Sequence, residues 1–324
     1  MKVKQAASVR LTGTARRFGT AFVRDVLLIA IAVIILYPLL YMITIAFRPL
    51  DQVWDPTVVW ISKSLTLDNL KETIGQMDYW NALLRSMRMT VLCSVLTVVS
   101  CSLCGYGFAR FRFKGRELLF LCVIFTILVP AEVIIIPSYI QFWKFDFFGL
   151  GYAAFPFLGE PLHINLLNTE MTLYIPAAFG SGIRSGLFIY MFRQYFRGLP
   201  KELEEAASID GCNAFTTYLR IAVPSSRLTM VTVFLFSSVW YWNDYYFTSM
   251  YMNNVKTVSS AVASLPAMLK GLSAIGGEVM KYDEVQISTM IQSGCLLLII
   301  PPLLVFAFCQ RFFIEGIELS GLVE

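Results

Sequence analysis

The sequence predicts an all-α membrane protein with six transmembrane helices. Only 15% of its 324 residues are charged, and the mean hydropathy is +0.65. About a quarter of the residues of a soluble domain are charged, so this composition indicates a chain surrounded by lipid. Charge-free segments also recur, and about 20 apolar residues in a helix cross the roughly 30 Å hydrocarbon layer.

Each predicted helix has its own segment of sequence. Three segments, 26–47, 89–109 and 285–310, carry no charged residue and are long enough to span a membrane alone. Three more contain one charged residue each: Glu132 in 118–143, Arg184 in 172–192 and Asp244 in about 228–250. The predicted organisation is therefore a tail at 1–25, a six-helix transmembrane domain at 26–310 and a tail at 311–324.

Charge sorting predicts the orientation of these helices. Basic residues in short loops are retained on the cytoplasmic side. Lys and Arg are concentrated in the N-terminal tail and in the connections after the second and fourth predicted spans. We therefore expect both termini and the fourth connection to be cytoplasmic. The net charge of +4 reflects mostly this asymmetry and does not indicate a nucleic-acid partner.

Several kinds of chemistry have no support in the sequence. The seven cysteines lie in predicted spans or, for Cys212, on the cytoplasmic side, so no external disulfide is expected. The single histidine, His163, is expected in a loop rather than at a metal site. The chain has no H-E-x-x-H or G-x-S-x-G motif, which disfavours a membrane-embedded enzyme. It also lacks a G-x-x-x-x-G-K-[ST] phosphate loop, so no ATP or other cofactor is expected on this chain.

The fourth connection carries an acidic helical motif, KELEEAASIDG at 201–211. Pro200 suits the first turn of a helix, and the three glutamates that follow lie near the positive end of the helix dipole. Gly211 offers a left-handed stop, and a second short helix is predicted over about 213–222, closed by Pro224. An amphipathic helix resting on lipid would usually carry basic residues, so the acids favour a protein partner.

These residues resemble the cytoplasmic signature of the membrane permease subunits of bacterial binding-protein-dependent, ATP-driven importers. That signature is E-A-A followed by Gly, Ile and Pro at fixed spacing. Here it consists of Glu205-Ala206-Ala207, Gly211, Ile221 and Pro224, with Asp210 before the glycine and Val223 where the family usually has Leu.

The resemblance is closest to the carbohydrate-importing branch and to its maltose-permease G-type half. The segments that carry it are GYGFARFRFKGRELLF at 105–120, VPAEVIIIPSYI at 129–140, FRQYFRGLPKELEEAASIDGC at 192–212, WYWNDYYF at 240–247 and the C-terminal QRFFIEGIELSGLVE. The chain departs from this branch in lacking a lysine near its end, in a longer third connection and in Arg184.

The resemblance implies a type I ABC importer permease fold, with cytoplasmic coupling helices at about 200–222, in a bacterial plasma membrane. The implied partners are a second permease subunit, two ATPase subunits that bind ATP and Mg²⁺, an extracellular or periplasmic solute-binding protein, and a sugar or oligosaccharide. The residues implied in ATPase coupling are Leu203, Glu205, Ala206, Ala207, Asp210, Gly211, Ile221 and Pro224. The two small alanines would let a groove wall approach the helix, and Glu205 would offer it a charge.

Four residues of the fifth span are candidates for the solute pathway: Trp240, Asn243, Asp244 and Tyr245. Aromatic faces stack on sugar C–H groups, and polar side chains bond to hydroxyls. Aromatic residues near a helix end are also common interface anchors, so both roles stay open. The resemblance further implies that the sugar is often held chiefly by the other permease subunit.

A self-sufficient secondary transporter is the alternative function, with Glu132 and Asp244 as ion-coupled carboxylates. The small number of spans and the absence of a visible internal repeat disfavour it. The acidic helix pair at 201–222 would also have no purpose in such a carrier.

Overall fold

The structure is a computed structural model that describes residues 2–53, 55, 57, 62–146, 149, 163–275 and 282–321. The helices in these residues are α1 (Lys2–Ala46), α2 (Asp68–Gln76), α3 (Tyr79–Arg110), α4 (Arg116–Leu128), α5 (Ala131–Trp143), α6 (Met171–Ala178), α7 (Ser185–Gly198), α8 (Glu202–Ile209), α9 (Ala214–Ser225), α10 (Arg227–Trp242), α11 (Tyr246–Tyr251), α12 (Val258–Ile275) and α13 (Glu284–Gly321). A 3-10 turn at Leu50–Gln52 and an isolated antiparallel bridge between Phe145 and Ile164 are also present. The predicted all-α class is confirmed.

Three helices are long and apolar enough to cross a membrane: Ala21–Ala46 within α1, all of α3, and Glu284–Gln310 within α13. They correspond to the first, second and sixth predicted spans. Two bent helix pairs, α4 with α5 and α9 with α10, pass the same test only when each pair is taken together. The described residues thus supply three to five candidate spans, and the predicted number of six is not confirmed.

The third predicted span is bent by 106° where α4 ends and α5 begins. Pro130 lies at this point, and Val129 before it is extended, with φ −72° and ψ 121°. A proline cannot donate a backbone hydrogen bond and disfavours helical geometry in the residue before it, so the helix stops here.

The fourth and fifth predicted spans are also interrupted. Between α6 and α7 the chain contains two residues in left-handed geometry, Gly180 with φ +67° and Arg184 with φ +59°. The segment 172–192 therefore does not form the single helix predicted for it. In the fifth span, α10 ends at Trp242 and α11 begins at Tyr246.

The described chain divides into two compact units, Met1–Gly75 with Pro266–Leu297, and Gln76–Leu265 with Leu298–Glu324. In the first unit, the side-chain amide of Asn69 donates to the carbonyls of Ala46 at 3.3 Å and Arg48 at 2.8 Å, which ties α2 to the end of α1. The predicted division into tails and a transmembrane domain stays a prediction.

In the second unit, α3 lies between α6, α7 and α10 and contacts all three. It packs tightly against α7, where a Cβ at Gly105 would lie 2.5 Å from the Cβ of Phe192 and 3.0 Å from the backbone nitrogen of Arg193. Around this crossing the phenylalanines of α7 are fully buried. The motif helices α8 and α9 belong to the same unit, so their base is a packed part of the fold.

Candidate functional site: the surface of α8 and α9 and the end of α10

The first motif helix, α8, begins at Glu202, with Lys201 as its N-cap residue. Its first turn contains Glu202, Glu204 and Glu205, as predicted, and their charges face the positive end of the helix dipole. Pro200 lies just before the N-cap rather than in the first turn. The proline therefore shapes the entry to the helix without being part of it.

Gly211 ends α8 through a Schellman motif. Its φ of +83° is left-handed, and its N–H donates to the carbonyl of Ser208 at 3.1 Å. The N–H of Cys212 donates to the carbonyl of Ala207 at 2.9 Å. These two bonds satisfy carbonyls that the helix end would leave open, and they turn the chain sharply into the next helix. The predicted stop at Gly211 is confirmed.

The second motif helix, α9, starts at an Asn213 cap, whose side-chain oxygen accepts from the N–H of Thr216 at 2.8 Å. It contains a π turn at Tyr218–Ala222, where the N–H of Val223 donates back to the carbonyl of Tyr218. Pro224 was predicted to close this helix, but helical geometry continues through Ser225, and the chain bends by 77° only before Arg227. Pro224 lacks a backbone N–H, but it follows the π turn directly and lies one residue before the end of the helix, so the helix continues through it.

The predicted coupling residues fall into an exposed set and a smaller internal set. Leu203, Glu205, Ala206, Asp210, Gly211 and Pro224 are exposed. Ile221 is half-buried, and Ala207 is buried at 4% exposure. The two alanines therefore differ: Ala206 faces outward, whereas Ala207 forms part of the base of the helix pair.

Large apolar side chains that sequence reasoning did not select also face outward on these helices, and Ile209 and Phe215 are the most exposed of them. Ile209 is 87% exposed at the end of α8, and Phe215 is 62% exposed at the start of α9. Together with Leu203, Glu205, Ala206 and Asp210 they form what we name the α8–α9 surface. Exposed large apolar residues next to acids are typical of protein interaction sites. The sequence signal that could have identified them is their position on either side of the helix end at Gly211.

Three of the four candidate pathway residues are exposed at the end of α10. Trp240 is 43% exposed and Tyr245 is 47% exposed. Asn243 is also exposed, and its side-chain amide donates to the carbonyl of Val239 at 2.9 Å. The guanidinium carbon of Arg184 lies 4.5 Å from the ring centroid of Trp240, a cation–π arrangement. Arg184, from the fourth predicted span, therefore lies against Trp240, from the fifth.

Asp244, the fourth candidate, is turned inward and is 9% exposed. Its carboxylate accepts from the N–H groups of Phe247 at 3.2 Å and Thr248 at 3.0 Å, and from the Thr248 hydroxyl at 2.8 Å. Its backbone carbonyl accepts from the Ser259 hydroxyl at 2.9 Å. The side chain therefore caps α11, and this use of both oxygens accounts for a carboxylate in an apolar segment.

Replacement of Asp244 by alanine is expected to destabilise the protein by about 1–3 kcal/mol, because the α11 N–H groups lose their acceptors in a buried setting. Asp244→Asn keeps one acceptor oxygen and should cost less. Thermal unfolding of the detergent-solubilised protein, followed by tryptophan fluorescence, measures both changes. Equal midpoints for the wild type and Asp244→Ala would contradict the capping role.

Substitutions at Gly211 test the cost of its left-handed backbone conformation without a steric clash. A Cβ there would meet nothing within 4 Å, so any penalty comes from the left-handed φ. Gly211→Val is expected to cost about 1–2 kcal/mol, whereas Gly211→Asn should cost less, since asparagine tolerates this region. Hydrogen exchange of the amides in 201–217 would report the loosened turn. A valine variant that exchanges no faster than the asparagine variant would contradict this account.

Comparison with known proteins identifies the class. The family model of the binding-protein-dependent transport system inner membrane component matches residues 101–316. The chain belongs to this family, and it is a membrane-embedded permease subunit of an ABC importer rather than an enzyme. The match includes α8, α9 and the end of α10. The secondary-transporter alternative is not favoured.

Curated relatives resemble the chain over most of its length. The arabinooligosaccharides transport system permease protein AraQ of Halalkalibacterium halodurans is 28% identical over 90% of this chain and 92% of its own. The lactose transport system permease protein LacG of Rhizobium radiobacter is 30% identical over 77% and 78%. The sn-glycerol-3-phosphate transport system permease protein UgpE of Salmonella typhi is 26% identical over 93% and 97%.

A solved structure supports the fold. A chain of a bacterial ABC transporter involved in the import of the acidic polysaccharide alginate superposes with a TM-score of 0.66, at 19% sequence identity. The superposition covers 92% of this chain and 97% of that one. The predicted type I importer permease fold is confirmed by this likeness.

Proposed function

We propose that the α8–α9 surface docks into a cleft of a cytoplasmic ATPase subunit and couples ATP hydrolysis to solute movement. The observation that carries this proposal is the exposure of Leu203, Glu205, Ala206, Ile209 and Phe215 on a helix pair whose opposite side is packed into the permease. Apolar anchors supply most of the energy of an interface, and a single carboxylate can orient it. Since Ala206 has no bulk, a groove wall can approach the helix closely.

The assembly proposed for the chain follows from this family of importers. Two ATPase subunits carry ATP and Mg²⁺, a second permease subunit completes the pathway, and an external solute-binding protein delivers the cargo. In this arrangement the α8–α9 surface is cytoplasmic, as the distribution of basic residues predicts. Both termini then lie on the same side as the ATPase subunits.

We propose a carbohydrate, and most specifically an oligosaccharide, as the cargo. The names of the relatives from Halalkalibacterium halodurans and Rhizobium radiobacter support it, while the UgpE relative keeps a glycerol phosphate as the competing candidate. Trp240, Asn243 and Tyr245 offer the exposed aromatic and amide groups that a sugar would contact. Asp244 supports this region by capping α11 rather than by facing the solute.

The cargo is tested on the complex reconstituted in proteoliposomes with its solute-binding protein. Arabino-oligosaccharides, lactose and sn-glycerol 3-phosphate are each loaded on the binding protein, and ATP hydrolysis is measured. We expect a saccharide to stimulate hydrolysis and the glycerol phosphate to leave it at the basal rate. Stimulation by the glycerol phosphate alone would replace the proposed cargo without affecting the coupling role.

Coupling is tested with Glu205→Lys, using Ser208→Lys as the control on the same helix. Reversal of the outward charge at residue 205 should uncouple hydrolysis from uptake of the stimulating solute, while the protein stays inserted in the membrane. The control adds a positive charge at Ser208, which is exposed but lies off the face formed by Glu205, Ala206 and Ile209, and it should retain uptake. Normal uptake in Glu205→Lys, or equal loss in both variants, would defeat the assignment.

A further inference from the structure

Two neighbouring acids at the start of α8 have different surroundings. Glu205 is exposed on the α8–α9 surface, whereas Glu204 is turned toward the end of α3. The Oε1 atom of Glu204 lies 3.0 Å from Nε of Arg110. The side chains of Glu204 and Arg110 are only 26% and 7% exposed, so the ion pair is largely withdrawn from solvent.

Two hydrogen bonds reinforce this ion pair. Tyr106, one turn before Arg110 on α3, donates its hydroxyl to Oε1 of Glu204 at 3.2 Å. Arg110 also donates from a terminal guanidinium nitrogen to the carbonyl of Leu199 at 2.7 Å. Because Leu199 and Glu204 flank Pro200, both sides of the entry to α8 are held to the same helix.

The same face of α3 also holds the neighbouring helices. The ring of Tyr106 packs against Phe196 of α7 and Tyr218 of α9, with centroid distances of 5.4 and 5.1 Å. The Tyr218 hydroxyl donates to Ser102 at 3.0 Å. Ser102, Tyr106 and Arg110 are four residues apart and lie on one face of the helix. One stripe of α3 thus fixes the entry to α8, the base of α9 and the end of α7.

We propose that Tyr106, Arg110 and Glu204 form a rigid joint, the α3–α8 clamp, through which displacement of α8 by the ATPase subunit reaches α3. The inference rests on the coupling function proposed above and assigns separate roles to adjacent acids. Glu205 contacts the ATPase subunit, and Glu204 transmits the movement. α3 has 32 residues and is about 48 Å long, so it carries the movement toward the opposite side of the membrane.

The physical basis of the joint is the cost of separating its parts. A largely buried guanidinium that loses its carboxylate is left as an uncompensated charge, and its hydrogen-bonded neighbours lose partners as well. A flexible tether would absorb displacement of α8, whereas a joint with several simultaneous bonds moves α3 with it. Glu204 and Arg110 are therefore positioning residues that act through α3.

The test compares nucleotide-dependent movement of α3 in the assembled importer. Leu84, near the other end of α3 and 67% exposed, is replaced by cysteine in a chain whose seven native cysteines are changed to serine or alanine and whose ATPase activity has been checked. The labelling rate with a membrane-impermeant maleimide is then measured without nucleotide and with ATP plus vanadate. We expect Glu204→Gln to reduce the nucleotide-dependent change at least fivefold while the ATPase subunits still co-purify.

Three further variants complete the test. Glu202→Gln, the matched control on the exposed side of the same turn, should behave as the parent chain. Tyr106→Phe removes one hydroxyl and should reduce the change by less than Glu204→Gln. It also provides the measurement if the Glu204→Gln chain does not fold in the membrane. The charge swap Arg110→Glu with Glu204→Arg should recover at least half of the change, which a loss of folding alone would not explain.

The proposal is overturned if α3 labelling does not respond to nucleotide in the parent chain, or if Glu204→Gln labels in the same way as Glu202→Gln. It is also overturned if Glu204→Gln loses the ATPase subunits, because Glu204 would then be a docking residue. Failure of the proposed function would look different. In that case the unaltered chain would bring down no ATPase subunit.

Discussion

Gly105→Ala is expected to destabilise the protein by about 2–3 kcal/mol, although it adds a single methyl group. The new Cβ would lie 2.5 Å from the Cβ of Phe192 and 3.0 Å from the backbone nitrogen of Arg193. Neither neighbour is the free end of a flexible side chain, so α3 and α7 must move apart. Because the crossing also supports the start of α8, we expect the midpoint of thermal unfolding to fall and less ATPase subunit to co-purify.

Gly107→Ala is the matched control, two residues further along α3. A Cβ there would have only Phe111 within reach, at 4.0 Å. Alanine is favoured over glycine in a helix interior, so this variant should gain about 0.5–1 kcal/mol. Opposite signs for the two variants would locate the cost in the helix crossing. Equal losses would show that glycine is required for some other reason.

Ile209→Asp is expected to weaken binding of the ATPase subunit by about 2 kcal/mol, roughly 30-fold in Kd. The side chain is 87% exposed in the permease, so its replacement should change the stability of the isolated subunit by less than about 0.5 kcal/mol. In the complex the aspartate would lie in an apolar contact without a partner. Binding of the purified ATPase subunit to the permease in nanodiscs measures the change.

Ser208→Asp provides the control for added charge. Ser208 is exposed and precedes Ile209 on α8, so this variant introduces the same charge without removing an apolar side chain. We expect a smaller loss of affinity than for Ile209→Asp. If the two variants weaken binding equally, charge repulsion explains the effect and the apolar contact of Ile209 does not.

Local signals predicted the motif helices well. The acids of the first turn and the glycine stop at 211 follow from helix dipole and backbone geometry, which depend on residues near in sequence. The long apolar helices α1, α3 and α13 were predicted for the same reason. The predicted end of the second motif helix fell short of the observed end at Ser225, because sequence alone did not show the π turn at Tyr218–Ala222 that precedes Pro224.

Features that depend on distant residues were not predicted. Arg110 and Glu204 are far apart in sequence, and neither residue type signals its partner. Asp244 was a candidate for the pathway from its chemistry. Its orientation is set by the start of α11, which sequence reasoning had included in one continuous span. Ile209 and Phe215 were missed because apolar residues are ordinarily expected to face a core.

The sharp bend after Leu128 has a consequence for hydration. The last carbonyls of α4 and the first N–H groups of α5 have no partner within their own helices, and hydrocarbon cannot satisfy them. Glu132, exposed in the first turn of α5, would be equally costly to surround with acyl chains. This part of the third predicted span must therefore contact protein or water, so a hydrated site lies within an otherwise apolar segment.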